Sequence, residues 1–170
     1  DYEKFAKTVL AEIKDIPISF EVFSDEVESM KRQGEKIASW GENVYVKVPI
    51  TNSQGESTKS VIAHLAGKGV KVNVTALMTD VQVIEAVDAL NPNVESYVSV
   101  FAGRIADTGR NPIPIMKRSL DALSENAKAE LIWASPRELL NIIQADEISC
   151  HIITATPEIL GKLSLLSRFL

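Results

Sequence analysis

Two hydrophobic periods alternate along this chain. Four short runs rich in β-branched residues, Ile18–Phe23, Val44–Ile50, Val70–Met78 and Tyr97–Ala102, have the length and composition of strands. Successive strand side chains point to opposite faces. One parity carries Ser19 and Glu21, then Lys47, then Asn73 and Thr75, then Ser99 and Phe101. The other carries Val22, then Val46 and Val48, then Val72 and Val74, then Val98 and Val100. Glu21, Lys47, Asn73 and Ser99 stand 26 positions apart, so four strands keep their polar groups in step. That regularity predicts a convergent polar site rather than scattered solvated residues.

Between the strands the apolar period becomes helical. Ser24-Asp25-Glu26-Val27 reads as an N-cap followed by acids at the positive end of a helix that runs to Trp40. Glu56 to Leu65 reads as the next, closing at Gly67 and Gly69. Asp80 caps a third, stopped by Asn91-Pro92. Ile115–Leu123, Pro136–Ile143 and Pro157–Leu163 follow, with Pro in the first turn of the last two. Strands Ala129–Ala134 and His151–Ala155 lie between them.

A strand-then-helix rhythm predicts a parallel sheet, either doubly wound or closed into a barrel. Doubly wound strands are covered by helices on both faces and are apolar on both. Here one face is polar on at least four strands, which favours a (β/α)8 TIM barrel with its site inside the mouth. Six strands are found, near 17–23, 44–50, 70–78, 96–103, 129–135 and 150–156. Eightfold barrels typically need about 250 residues, whereas this chain has 170 and opens with an amphipathic helix from Asp1 through Ile13. The expectation is one domain over residues 1–170, with six of eight strands present and two leading strand–helix units missing.

Composition narrows the function classes. A hydrophobic content of 45% suffices for one sizeable core. A net charge of -5 without a basic cluster argues against nucleic-acid binding. The single Cys150 leaves no internal disulfide, which fits a reducing compartment. No apolar run reaches spanning length and no signal peptide is visible, so the expectation is a cytoplasmic protein without membrane partners. No metal-ligand spacing or phosphate-loop pattern occurs, so neither a metal nor a cofactor is expected.

The candidate chemistry centres on Lys47. An ammonium flanked by valines loses hydration, which favours the neutral amine that attacks a carbonyl to form a Schiff base. The plainer reading is an edge-strand lysine facing water. For Arg104 and Arg137 the plainer reading is surface salt-bridging. His64, His151, Trp40 and Cys150 read as packing or surface residues. Trp133 shares parity with Ser135 and is a candidate lumen residue, and Asp107 is placed to pair with Arg104 or to shape the rim. The long irregular stretch Ala106–Pro114 follows a strand end, where barrel site loops lie.

These motifs, in this order, resemble the transaldolases, in particular the small ones related to fructose-6-phosphate aldolase. Ser19-Phe20-Glu21-Val22 resembles the third-strand motif with its glutamate. Val46-Lys47-Val48-Pro49 is similar to the fourth-strand motif holding the Schiff-base lysine. Val72-Asn73-Val74-Thr75 resembles the fifth-strand Asn-x-Thr. Ser99-Val100-Phe101-Ala102-Gly103-Arg104 resembles the sixth-strand Ser-x-Phe-x-Gly-Arg, and Ala134-Ser135-Pro136-Arg137 the seventh-strand Ala-Ser-x-Arg. The family's first-strand aspartate and second-strand Thr-Asn-Pro have no counterpart here, and its last helix would be cut short after Leu170.

The resemblance implies transfer of a dihydroxyacetone unit between sugar phosphates, as in the pentose phosphate pathway. Lys47 would form the imine, Glu21 would move protons through a water, and Thr75 would hold that water. Asn73 and Ser99 would bind substrate hydroxyls, while Arg104, Ser135 and Arg137 would grip the phosphate. Glu21 and Phe101 match the transferase branch, where the aldolase branch tends to carry glutamine and tyrosine. The alternatives are a fructose-6-phosphate aldolase-type lyase, or a non-catalytic barrel that associates with another chain. Sugar phosphates and further copies of the chain are the implied partners.

Overall fold

Among the described residues, six strands stand side by side in chain order in a single parallel sheet. They are β1 (Ile18–Glu21), β2 (Val44–Pro49), β3 (Val72–Leu77), β4 (Ser96–Val100), β5 (Ala129–Trp133) and β6 (Ile152–Ile153). The computed structural model describes residues 1–166, so the expected early end of the last helix at Leu170 lies outside the described residues. Helix α1 (Tyr2–Glu12) leads in. Then α2 (Val27–Ala38), α3 (Lys59–Gly67) and α4 (Asp80–Ala89) return the chain between the first four strands. The α5 (Ala102–Asp107) and α6 (Ile113–Leu123) pair connects β4 to β5. Helix α7 (Leu140–Glu147) leads to β6, and α8 (Pro157–Gly161) ends in a 3₁₀ turn, Lys162–Leu165.

The valine parity faces the helices. Val46, Val48, Val72, Val74, Val98, Val100, Leu131 and Trp133 are wholly inaccessible to solvent. They pack in one core with Met30 of α2, Val61, Ile62 and Leu65 of α3, Val83 and Ala86 of α4 and Met116 of α6. Burying one such aliphatic side chain stabilises the fold by about 1.5–3 kcal/mol. The helices therefore coat one face only and leave the polar parity on the other.

That polar face is concave. Tyr45 on β2 and Tyr97 on β4 are not on neighbouring strands, yet their rings stack with centroids 4.2 Å apart. In a flat sheet, strands two apart are separated by about 10 Å. The sheet curls inward to bring these side chains together. The architecture is a curled half-barrel, six parallel strands of a TIM-type barrel.

Several boundaries differ from expectation. The cap of α2 is Glu26, whose carboxylate accepts from the N–H groups of Glu28 and Ser29; Asp25 instead accepts from the N–H and hydroxyl of Ser53. Thr79, not Asp80, caps α4 through a capping box with Gln82. Helix α3 begins at Lys59 because residues 51–57 close a turn, bridged from Thr51 to Ser57. Helix α7 begins at Leu140, since Asn141 Oδ1 accepts from the N–H groups of Arg137 and Glu138 and holds that stretch outside the helix. The stretch read as irregular, Ala106–Pro114, overlaps the end of α5, which is too short to show a helical period, and the first two residues of α6. Pro157 does open α8.

Candidate active site

The register of the first three strands places Glu21, Lys47 and Asn73 side by side. The constant offset of 26 positions thus corresponds to one level of the barrel interior. Between β3 and β4 that offset ends. The offset is 24 from the start of this ladder, with Val72 opposite Ser96, Asn73 opposite Tyr97 and Val74 opposite Val98. A bulge between Val74 and Leu77, where Ala76 takes a left-handed φ of 64°, then brings Leu77 opposite Val100. Ser99 therefore stands one layer nearer the mouth than Asn73, still on the inner face.

A hydrogen-bond chain crosses the interior at this level. Ser99 donates to Asn73 Oδ1 at 2.8 Å, and Asn73 Nδ2 donates to Ser19 Oγ at 2.9 Å. Asn73 and Ser99 are buried. Lys47 Nζ lies 3.8 Å from Glu21 Oε2, with the lysine side chain about one-third exposed. Thr75 Oγ1 is buried and has no hydrogen-bonding partner among the described residues. A buried hydroxyl left unpaired is costly, so this group is free to hold a ligand atom or a water.

Apart from Glu21, which does not line it, these groups share one cavity of about 580 Å³, lined by Ser19, Lys47, Asn73, Thr75, Ser99, Phe101, Ser135 and, among others, Tyr97. Its lining reaches Phe101, Ser135 and Thr154, just past the C-terminal ends of β4, β5 and β6. The edge position of β1 leaves the N–H of Glu21 unpaired in the sheet, and Tyr2 of α1 takes it up at 3.0 Å through its hydroxyl. Tyr2 is itself held edge-on by Phe20, Phe23 and Trp40.

Ser135 reaches the cavity against simple alternation. Trp133, which shares its parity, is fully buried on the helix side and pairs with Val100, so it does not line the lumen. Ser135 takes a φ of 57°, and this left-handed turn reverses the side-chain direction after β5. The turn is locked by Gly103. A Cβ on Gly103 would sit 1.5 Å from the Ser135 carbonyl oxygen, and the Gly103 N–H donates to the Ala134 carbonyl at 3.3 Å. Only glycine fits there.

The two arginines stand at the rim, outside the cavity wall. The Arg104 guanidinium lies 5.0 Å from the centre of the Phe101 ring, a cation–π contact. Arg137 donates from Nε at 2.9 Å and Nη2 at 2.6 Å to Asp107 Oδ2. That pairing holds the Asp107 carboxyl below its ordinary range. Asp107 was a candidate partner of Arg104; the ion pair it forms is with Arg137. Tyr2 and Tyr97 were not singled out by sequence, although Tyr97 lies on the polar parity, and Gly103 entered only within the Ser-x-Phe-x-Gly-Arg motif with no role assigned.

Elsewhere, His64 Nε2 lies 2.7 Å from Glu35, and His151 Nδ1 accepts the Leu131 N–H. Burial pushes the Cys150 thiol up. Among the described residues no acid, histidine or cysteine cluster could hold a metal ion, and no helix is long and apolar enough to cross a membrane.

A curled parallel sheet of the TIM-barrel type, with a lysine, a carboxylate and an Asn–Ser hydrogen-bond chain on its inner face, defines the class as an α/β barrel with a polar, lysine-bearing interior. The comparison with known proteins is specific: the family model "Transaldolase/Fructose-6-phosphate aldolase" matches residues 2–168, and the chain belongs to that family. A probable transaldolase of Sulfurihydrogenibium sp. is 35% identical over 93% of this chain and 69% of its own length. A probable transaldolase of Clostridioides difficile is 32% identical over 91% of this chain and 68% of its own. Probable transaldolase 2 of Listeria monocytogenes is 33% identical over 95% and 71%.

Proposed function

We propose that this chain forms a Schiff base through Lys47 and transfers a three-carbon dihydroxyacetone unit between sugar phosphates. The observation that carries the reading is Lys47 in one cavity with Thr75, Asn73, Ser99 and Ser135, and Glu21 at 3.8 Å. The Lys47 amine attacks C2 of a ketose phosphate, and the carbinolamine loses water to give the imine. The C3–C4 bond then breaks: its electrons flow into the imine, the C4 hydroxyl gives up its proton to a general base, and an aldose leaves. The enamine attacks an acceptor aldehyde, and hydrolysis restores the amine.

Within this reading Glu21 moves protons to and from the carbinolamine through a water bound by the unpartnered Thr75 hydroxyl. Asn73 keeps one N–H and Ser99 its lone pairs for the hydroxyls of the substrate. Ser135 and the exposed face of Arg104 meet the phosphate, with the Nη1 donors of Arg137 left over by Asp107. A guanidinium suits phosphate because its planar donors bind two oxygens. Phe101 lines the cavity with a ring that has no hydroxyl, so it cannot activate water against the imine; this favours transfer over simple cleavage.

Borohydride reduction in the presence of fructose 6-phosphate, followed by peptide mass mapping, tests the proposal. The expected result is a three-carbon adduct on Lys47 that disappears in Lys47→Met. An adduct on Lys71 instead, or one that survives Lys47→Met, contradicts it.

A further inference from the structure

The cavity that holds Lys47 is floored by Tyr97, which rests on Tyr45 beneath it. Tyr45 precedes Lys47 by two residues on β2, on the same face, so it lies one layer below the amine, about 6.6 Å along the strand. Tyr97, level with Asn73 and hence with Lys47, leans onto it, ring centroids 4.2 Å apart and planes within 13°. Both residues are nearly inaccessible to solvent, at 4% and 8%.

Below the pair lies a second cavity of about 650 Å³ at the N-terminal ends of the strands, lined by Lys71, Glu95, Lys128 and His151 among others. Tyr97 lines both cavities, whereas Tyr45 lines only the lower one. Pro17 also lines both, so the stacked rings, with Pro17 at the β1 side, form the partition between them. The partition is braced from beneath: the Tyr45 hydroxyl meets Glu95 at 3.3 Å, Lys71 pairs with Glu95 at 2.8 Å, and the Lys71 ammonium sits 5.5 Å from the centre of the Tyr45 ring.

A ketone joined to Lys47 through its carbonyl carbon has two arms. One arm runs up past Phe101 and Ser135 to the rim, where the phosphate would sit. The other must point down at the tyrosines. We propose that the Tyr45–Tyr97 stack sets substrate length on the side away from the phosphate, admitting one carbon there and excluding longer arms. The inference rests on the Schiff-base reading of Lys47 and adds the group that measures the substrate.

The test uses two symmetric ketones, so that either orientation presents the same arm to the floor: dihydroxyacetone and 1,5-dihydroxypentan-3-one. Each is trapped on the 170-residue chain with borohydride, and the fraction of Lys47 carrying the adduct is measured by mass spectrometry. An extra methylene against a closed wall costs about tenfold or more in discrimination. The ratio of short to long adduct should therefore fall by at least about tenfold in Tyr97→Ala. Tyr97→Phe keeps the ring and should keep the parent ratio. If Tyr97→Ala does not fold, as judged by circular dichroism, Tyr97→Leu, which is shorter than the ring it replaces, carries the same expectation. A folded small-residue variant with the parent ratio, or one that loses both adducts equally, overturns the floor alone. Absence of any Lys47 adduct in the parent chain overturns the Schiff-base reading, and the floor with it.

Discussion

Gly103→Ala is the smallest change that should disturb both the fold and the site. The new Cβ would lie 1.5 Å from the Ser135 carbonyl oxygen and 2.6 Å from its carbonyl carbon, where ordinary contact begins near 3.4 Å. Those are backbone atoms, so no side chain can rotate away. The start of α5 and the turn after β5 must part by about 2 Å, which is overpacking of the kind that costs about 1–3 kcal/mol. The Gly103 N–H to Ala134 carbonyl bond, 3.3 Å in the parent, is lost with that movement, adding about 1 kcal/mol. Alanine returns up to about 1 kcal/mol through its better helix propensity. The net is a loss of about 1–3 kcal/mol, or about 2–12 °C in melting temperature for a domain of this size.

The same displacement carries Ser135 away from the cavity. Borohydride trapping with fructose 6-phosphate should then fall further than trapping with dihydroxyacetone, which has no phosphate to place. Thermal melting followed by circular dichroism and adduct mapping on the same preparations read the two effects separately. A Gly103→Ala chain that melts within about 2 °C of the parent and traps both compounds equally well would refute the argument.

Thr75→Val should melt at or slightly above the parent temperature, because the hydroxyl it removes is buried without a partner, while the rate of imine trapping falls by at least about tenfold. Arg104→Ala and Arg137→Ala should each weaken capture of fructose 6-phosphate by about ten- to a hundredfold and leave dihydroxyacetone capture unchanged; equal losses for both would mean that neither arginine reads phosphate. The Asp107 carboxyl titrates below its ordinary range because Arg137 donates to it, so the stability this pair adds is fully present above the usual aspartate pKa of about 3.9 and is lost as pH falls through the lower, folded value. The melting difference between the parent and Asp107→Asn should stay constant from neutral pH down to about 4 and shrink only below that; a difference that shrinks near pH 6 would assign it to another group.

The polar stripe was legible because strand side chains alternate strictly and the first three strands repeat at a fixed offset. Lys47 among valines, with Glu21 and Asn73 level beside it, follows from that arithmetic alone. It breaks down where the backbone leaves the strand conformation. Nothing at Ala76 announces a left-handed residue, since alanine, unlike glycine or asparagine, gives no such signal, so the bulge was hidden; the raised position of Ser99 was hidden because the β3–β4 register steps by 24 positions rather than 26. Ser135 hides the same way: its φ of 57° uncouples it from Trp133 and sends the two side chains to opposite faces. The Tyr45–Tyr97 stack depends on curvature across two strands, which no local pattern encodes. The choice of Arg137 over Arg104 by Asp107 likewise depends on how α5 and the loop after β5 dock.

The Ser19–Asn73–Ser99 chain spans β1, β3 and β4 and passes over β2 without touching it. Its length is therefore a measure of how tightly the sheet is bent. Flattening would pull Asn73 away from Ser19 before any backbone ladder bond breaks, since neighbouring strands can unroll while remaining paired. Asn73 is thus a strain gauge for the sheet. Whatever holds the outer edges of β1 and β6 at a given curvature also sets the spacing of the hydroxyl-binding groups around Lys47, so the edges and the chemistry share one mechanical coordinate.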